Sequence, residues 1–451
     1  MIVGLGLIAW ASARARAKAF AGGAVRPHSR PGHHGWYVAL WTAVPALLFL
    51  ALWSNFSATL VHQAVMESPQ AASLPAFEMQ RDAILAEARG LATGRLGAAF
   101  NPQARELAPV FEGALRQYSL LGLAVAALIA LAGGGWAYTR VSPHFRARTR
   151  VERAVMAALL LASLVAVLTT LGIVLSLLFE SLRFFSMVSP LEFLGGFNWS
   201  PQMAIRADQA GSSGAFGAIP LFWGTSFIGA IIAMIVAVPL GLMSAIYLTQ
   251  YARPAVRRWM KPILEILAGV PTVVYGYFAV LTVAPAVRDL GLTLGLPASS
   301  ESALAAGLVM GIMIIPFISS MADDSIAAVP QAMRDGSLAM GATPSETIRK
   351  VLVPAALPGV IGGVLLALSR AIGETMIVVM AAGLAANLTL NPFESVTTVT
   401  TQIVMLLTGD QEFDSPKTLA AFALGLVLFL VTLALNIIAL RVVRKYREAY
   451  E

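Results

Sequence analysis

The 451-residue chain is 58% hydrophobic and only 12% charged, with a mean hydropathy of +0.76 and a formal charge of +7. Soluble domains carry about 25% charged residues, so a soluble enzyme is excluded and an all-α, polytopic transmembrane helical bundle is indicated. The absence of cysteine removes disulfides, thiolate metal sites and cysteine nucleophiles. A positive balance in such a chain reports basic cytoplasmic loops rather than a nucleic-acid surface.

Hydropathy places apolar runs at residues 1–13, 36–54, 118–139, 154–179, 221–250, 263–286, 303–321, 357–385 and 418–440. All but the first can cross a hydrocarbon core of about 30 Å. The first run is short, and Arg14, Arg16 and Lys18 follow its apolar stretch, whereas a secretory signal carries its charges in front. It is expected to be a frayed or truncated anchor. Basic residues gather in alternate loops: Arg14 to Arg30, Arg140 to Arg153, Arg253 to Lys261, Arg334 to Lys350, and Arg441 to Arg447. The positive-inside rule puts these loops and the C-terminus in the cytoplasm. An odd number of spans then leaves the N-terminus outside; failure of the first run to insert changes the N-terminal side alone.

Three regions between spans stand out. Residues 55–117 form an external insert of nearly balanced charge, whose amphipathic stretch Ala76 to Leu91 predicts one or two surface helices. Residues 180–220 form a second external loop ending in the flexible Gly211-Ser212-Ser213-Gly214 stretch. Residues 322–356 form a long, mixed-charge, helix-forming cytoplasmic loop. Asp323 and Asp324 at its start are assigned to solvated surface, as are His28, His33 and His34 in the first basic loop, whose spacing matches no zinc pattern.

The 322–356 loop contains Asp335-Gly336-Ser337-Leu338-Ala339-Met340-Gly341, nine residues, then Val351-Leu352-Val353-Pro354. The pattern predicts a short helix, a glycine at a turn, and a second helix leading to proline. In its spacing this segment resembles the signature of ABC importer permeases: Glu-Ala-Ala, three residues, Gly, nine residues, Ile, any residue, Leu-Pro. Asp335, Gly336 and Ser337 replace Glu-Ala-Ala, Val351 and Val353 replace Ile and Leu, and Gly341 and Pro354 are retained. Further stretches resemble the phosphate-specific branch, the PstC type of the binding-protein-dependent transport permeases. They are Gly269-Val270-Pro271-Thr272-Val273-Val274-Tyr275-Gly276, Ser369-Arg370-Ala371-Ile372-Gly373-Glu374-Thr375-Met376 and Thr398-Val399-Thr400-Thr401-Gln402-Ile403.

The resemblance implies a type I permease core of about six helices over residues 154–451, with 1–153 as an N-terminal membrane extension. It implies a multi-pass protein of the bacterial inner membrane that moves inorganic phosphate by alternating access. Its partners would be a second homologous permease, two ATP-binding subunits and an external phosphate-binding protein. The 322–356 loop would couple to the ATPases. The chain lacks a Gly-x-x-x-x-Gly-Lys-Ser/Thr phosphate loop. ATP and Mg are therefore expected on partner subunits, with no cofactor on this chain and no catalytic constellation.

Intramembrane charge marks the candidate pathway. Charges at membrane depth are costly and face protein or a watery cavity. Arg370 and Glu374 at i and i+4 would share a helix face and touch, with Gly373 admitting a ligand. An arginine fork matches phosphate oxygens, and a carboxylate accepts a proton-bearing oxygen of hydrogen phosphate. A structural ion pair is the competing reading. Ser369, Thr272 and Tyr275 are candidate hydroxyl donors along the pathway. Two other functions are kept open: a permease for another oxyanion or small solute, and an ion-coupled secondary transporter, a class that often shows inverted repeats.

Overall fold

The computed structural model describes residues 1–20, 28–75, 77–203, 213–408 and 415–447. Arg26 and the Gly211-Ser212 half of the predicted flexible stretch lie outside the described residues. Eight described helices are long and apolar enough to cross a membrane. The first run forms α1 (Ile2–Phe20), which is not among them because Arg14, Arg16 and Lys18 lie on the helix itself.

The helices that follow α1 are α2 (Pro31–Met66), α3 (Glu78–Ala92), α4 (Pro102–Thr139), α5 (Ala147–Met187), α6 (Pro190–Gly195), α7 (Ile219–Tyr251) and α8 (Pro254–Ala268). Next come α9 (Thr272–Thr293), α10 (Ala303–Ala327), α11 (Gln331–Ala339), α12 (Pro344–Ile372), α13 (Met376–Ala381), α14 (Val399–Leu407) and α15 (Pro416–Arg447). Several begin on proline, whose fixed φ suits a first turn and whose missing N–H is no loss there. One small antiparallel ribbon departs from the all-α pattern, β1 (Trp199–Met203) with β2 (Ser213–Phe216), pairing Trp199 with Phe216.

The chain forms two compact units, Met1–Val167 and Leu168–Glu451. The division falls inside α5, whose first residues Ala147 and Val151 pack with Tyr37, Val38 and Ala137. In the first unit the 55–117 insert is no separate lobe. α2 and α4 run on beyond membrane length, and α3 closes over them through Val61, Val65, Ile84, Leu85, Leu107 and Phe111. His34, assigned to the surface from sequence, is fully buried on α2 beside the Phe145 ring.

In the second unit α10 is the central element, with 61% of its apolar window enclosed, against at most 39% elsewhere. Ile314 and Ile318 pack with Ile228, Ile232 and Ile377. Water release between helices adds little within lipid, so close packing carries the association; Ala233, Ala237, Gly307 and Gly311 keep α7 and α10 close.

Two predicted spans have different boundaries. The 263–286 run is interrupted at Gly269 and Pro271, so α8 is a separate helix and α9 starts at Thr272. No α8 residue is buried, and Trp259, Ile263 and Ile266 line one outward apolar face. The 357–385 run is broken as well. α12 starts earlier, at Pro344, and stops at Ile372; α13 and α14 then form a short-helix excursion before α15.

Candidate functional site

The 322–356 segment folds as its spacing predicts. α11 ends beside Gly341, which sits at φ +85° with open space around its Cα, so glycine is required there by backbone conformation and not by crowding. A capping box then starts α12: Thr343 accepts from the Glu346 N–H, and Glu346 accepts from the Thr343 N–H at 3.0 Å. The Thr343 backbone N–H, its hydroxyl and nearby Lys350 together hold the Glu346 carboxyl below the usual carboxylate range.

Ser337 and Thr347 share a hydroxyl hydrogen bond of 2.9 Å that ties α11 to α12. Asp335 is exposed and accepts from the Gln331 amide at 3.2 Å, while Gly336 lies on open helix surface. Val351 and Val353 are half-buried and Pro354 is exposed. A π-helical turn, Ile348–Leu352, lies immediately before Val353 and Pro354. α11 buries none of its residues; Leu338 is 40% exposed, and Met340 just past the helix end is 89% exposed, an apolar edge suited to a partner.

Arg370 and Glu374 are not on one helix face. α12 ends at Ile372 with Gly373 as its cap, so the i,i+4 relation expected from sequence is lost one residue before Glu374. No ion pair joins the two side chains among the described residues. Arg370 is exposed in the last helical turn, where a cation is favoured by the C-terminal dipole. The half-buried Glu374 carboxylate accepts from the Met376 N–H at 3.1 Å, capping α13.

Ser369 is half-buried on the same turn, and its carbonyl accepts from the Gly373 N–H at 3.3 Å. Thr272 is half-buried at the start of α9. Tyr275 is buried and donates to the Leu267 carbonyl at 2.8 Å, closing the break between α8 and α9 instead of presenting a free hydroxyl. Gly276 lets α9 meet α13: a Cβ there would lie 3.1 Å from the Met376 carbonyl and 2.7 Å from the Met380 sulfur. The sequence-stretches around Thr272 and Glu374 therefore meet through α9 and α13.

A buried polar network supports the break at Gly373. Thr400 donates to the Glu374 carbonyl at 2.8 Å, Thr398 bonds Thr401 at 2.9 Å, and the Gln402 amide donates to Thr397 at 3.0 Å. Trp199 donates to Gln402 at 2.9 Å, and Thr225 accepts from the Val399 N–H at 3.0 Å. In the sequence, residues 398–403 carry the family resemblance alone, and this structural role is not apparent. The signal was a threonine-rich run between apolar residues, whose hydroxyls must find partners once buried.

Asp323 is also corrected. It is 6% exposed and accepts from Lys261 at 2.7 Å and from Arg257 at 3.1 Å, fastening α8 to the end of α10. That hydrogen bond is the main cause of a raised Lys261 pKa. Asp324 is exposed, as expected.

The description "Binding-protein-dependent transport system inner membrane component" matches residues 237–448, and "Phosphate ATP-binding cassette transporter" matches 1–169. A probable ABC transporter permease of Bacillus subtilis, YqgH, is 34% identical over 287 residues, 63% of this chain and 86% of that protein. The chain belongs to the ABC transporter permease family. The phosphate transport system permease PstC of Mesorhizobium japonicum is 33% identical over 240 residues, 50% of this permease and 72% of that one. A solved inward-facing MetNI methionine ABC transporter covers 50% of this permease and 93% of its own chain, with 21% identity and a TM-score of 0.37. The 237–448 match contains α8 to α15 in full, hence both the 335–354 segment and the Arg370 break; the 1–169 match nearly coincides with the first compact unit.

Proposed function

We propose that this chain is a permease subunit of an ATP-driven importer of inorganic phosphate, a multi-pass protein of the bacterial inner membrane with its C-terminus in the cytoplasm. The observation that carries the substrate side is Arg370, an exposed arginine at a helix break with no ion-pair partner among the described residues, next to the half-buried Glu374. An unpaired charge at membrane depth calls for a watery pathway or a covering partner. Both exist at once where a second, homologous permease encloses a central route. PstC permeases among the relatives, and a phosphate ABC transporter description over 1–169, support phosphate over other oxyanions.

In this reading Arg370 offers its fork to phosphate oxygens, and the Glu374 carboxylate accepts from the protonated oxygen of hydrogen phosphate. Sulfate carries no such proton at neutral pH, so it meets only repulsion from Glu374. Ser369 and Thr272 supply neutral hydroxyls; Tyr275 holds the α8–α9 junction. Two ATP-binding subunits hold ATP and Mg and grip α11 and the Gly341 turn. Their closure moves α11 with α12, opening the route toward a loaded external binding protein, and hydrolysis resets it. This chain itself carries out no hydrolysis.

Uptake by the assembled complex in proteoliposomes tests the proposal. Phosphate uptake that requires internal ATP, is inhibited by arsenate and is indifferent to sulfate is expected. ATP-dependent uptake of sulfate or molybdate in place of phosphate would transfer the assignment to another oxyanion. Uptake by this chain alone, driven by an ion gradient, would refute the ABC mechanism.

A further inference from the structure

A cavity in the first compact unit lies between α2 and the first turns of α5 and has a volume of about 1040 Å³. Its two ends differ in chemistry. His144, Arg146, Arg150 and Arg153 line one end, and no acidic side chain lines any part of it. Arg148 on the same helix is taken up by Glu152 at 2.6 Å, but Arg146, Arg150 and Arg153 have no ion pair among the described residues. Arg150 lies over the Phe145 ring at 5.2 Å, which steadies it without neutralising it.

Below this rim the walls are apolar: Leu40, Val44 and Pro45 on α2, and Ala154, Ala157 and Leu161 on α5. Arg150, Arg153, Ala157 and Leu161 follow one stripe of α5, so the groove passes from charge to hydrocarbon along the helix axis. From Arg150 to Leu161 the helix rises about 16 Å, close to half of the roughly 30 Å hydrocarbon core. Trp41 also lines the groove and packs edge-on against Trp136.

Tyr37 provides an independent observation. It lines the same cavity, it is 3% exposed, and its hydroxyl has no hydrogen-bond partner among the described residues. A buried hydroxyl without a partner is costly, on the order of a few kcal/mol. The oxygen is itself enclosed, so a ligand's phosphate-ester oxygen would reach it only with a small shift of the groove wall.

We propose that this groove binds one anionic phospholipid, its headgroup phosphate held by Arg146, Arg150, Arg153 and the Tyr37 hydroxyl and its acyl chains laid along the α2 and α5 walls. Free inorganic phosphate shares the headgroup chemistry but would leave the apolar length of the groove empty. The site lies in a different compact unit from Arg370 and is a structural lipid site, not part of the transported-ion route.

The test uses the full-length chain in nanodiscs of phosphatidylglycerol mixed with phosphatidylcholine, with lipid retained after detergent extraction counted by native mass spectrometry. Each basic residue near an anionic surface contributes about fivefold in affinity, so a preference for phosphatidylglycerol of at least about tenfold is expected. The triple substitution Arg146→Gln, Arg150→Gln, Arg153→Gln should bring that preference close to one, and Tyr37→Phe should lower retention a few-fold. Ala157→Trp, which fills the apolar slot without altering charge, should expel lipid of either kind. Inorganic phosphate in millimolar excess should not displace the lipid. Full preference in the triple variant with unchanged retention in Ala157→Trp would overturn the proposal. So would displacement by inorganic phosphate, which marks a free-phosphate site, or exclusion of lipid in the assembled complex, which marks a subunit contact.

Discussion

The Thr400 hydroxyl donates to the Glu374 carbonyl at 2.8 Å, joining the start of α14 to the turn at which α12 ends. That carbonyl belongs to non-helical backbone in a membrane protein, where an unmet acceptor has no water to turn to. Thr400→Val keeps the shape and removes the donor. It should cost about 1 to 3 kcal/mol, the penalty for a buried polar group left unpaired, and lower phosphate uptake while the complex still assembles. Thr400→Ser should behave as wild type. Thermal unfolding in detergent and uptake in proteoliposomes read both effects; wild-type values for the valine variant would show that the break is held by other contacts.

Asp323 is a small buried anion that holds two cations of α8, Lys261 at 2.7 Å and Arg257 at 3.1 Å. The basic side chains are about 40% exposed, which dilutes the interaction below that of a fully buried pair. Asp323→Asn should destabilise by about 1 to 2 kcal/mol on that reckoning. Its larger effect should be local: hydrogen exchange over 254–268 should accelerate while that over 303–320 stays slow. Equal protection of α8 in wild type and variant would remove its role as the fastening of that helix.

Gly341 and Gly336 separate backbone from bulk. Neither would bring a new Cβ within 4 Å of a neighbour, but Gly341 stands at φ +85° and Gly336 lies inside α11. Alanine at 341 should therefore cost about 1 to 2 kcal/mol in strain, whereas alanine at 336 should stabilise the helix by about 1 kcal/mol. The expected outcome is loss of ATPase co-purification with Gly341→Ala and its retention with Gly336→Ala. The reverse order would place the docking contact on the helix face and not in the turn.

The membrane spans and the helix–turn–helix of residues 331–354 were legible because both leave a strong one-dimensional trace: long apolar runs in one case, and a fixed spacing that includes Gly341 and Pro354 in the other. The breaks at Gly269 to Pro271 and at Gly373 to Thr375 were not. Hydropathy averages over a window and registers no interruption when residues on both sides are apolar. The i,i+4 spacing of Arg370 and Glu374 then looked like a pair, since that inference holds only on continuous helix. Asp323 and His34 sit at helix ends near charged loops and read as surface until tertiary packing encloses them. Partner identity for the Thr398–Gln402 run lies far away in sequence, at Trp199 and Thr225, beyond any local pattern.

The absence of an Arg370–Glu374 ion pair changes how the pathway proposal is best tested. In a buried pair, removing one charge strands the other at a cost of about 3 to 5 kcal/mol, and loss of function would then report misfolding as readily as transport. Here Arg370 is exposed in the isolated chain and Glu374 is engaged by the Met376 N–H, so single substitutions carry information. Arg370→Gln removes the charge and the fork. It should assemble with its partners, retain the wild-type unfolding temperature and ATPase activity, and lose phosphate uptake by at least about tenfold, the equivalent of one charge-assisted hydrogen bond of roughly 1.5 to 3 kcal/mol. Glu374→Gln keeps an acceptor oxygen for the α13 cap and removes only the negative charge, so it should remain folded, admit sulfate and weaken the preference for hydrogen phosphate. Unchanged phosphate uptake in Arg370→Gln, with unchanged selectivity in Glu374→Gln, would leave this turn as a structural element and move the substrate route elsewhere.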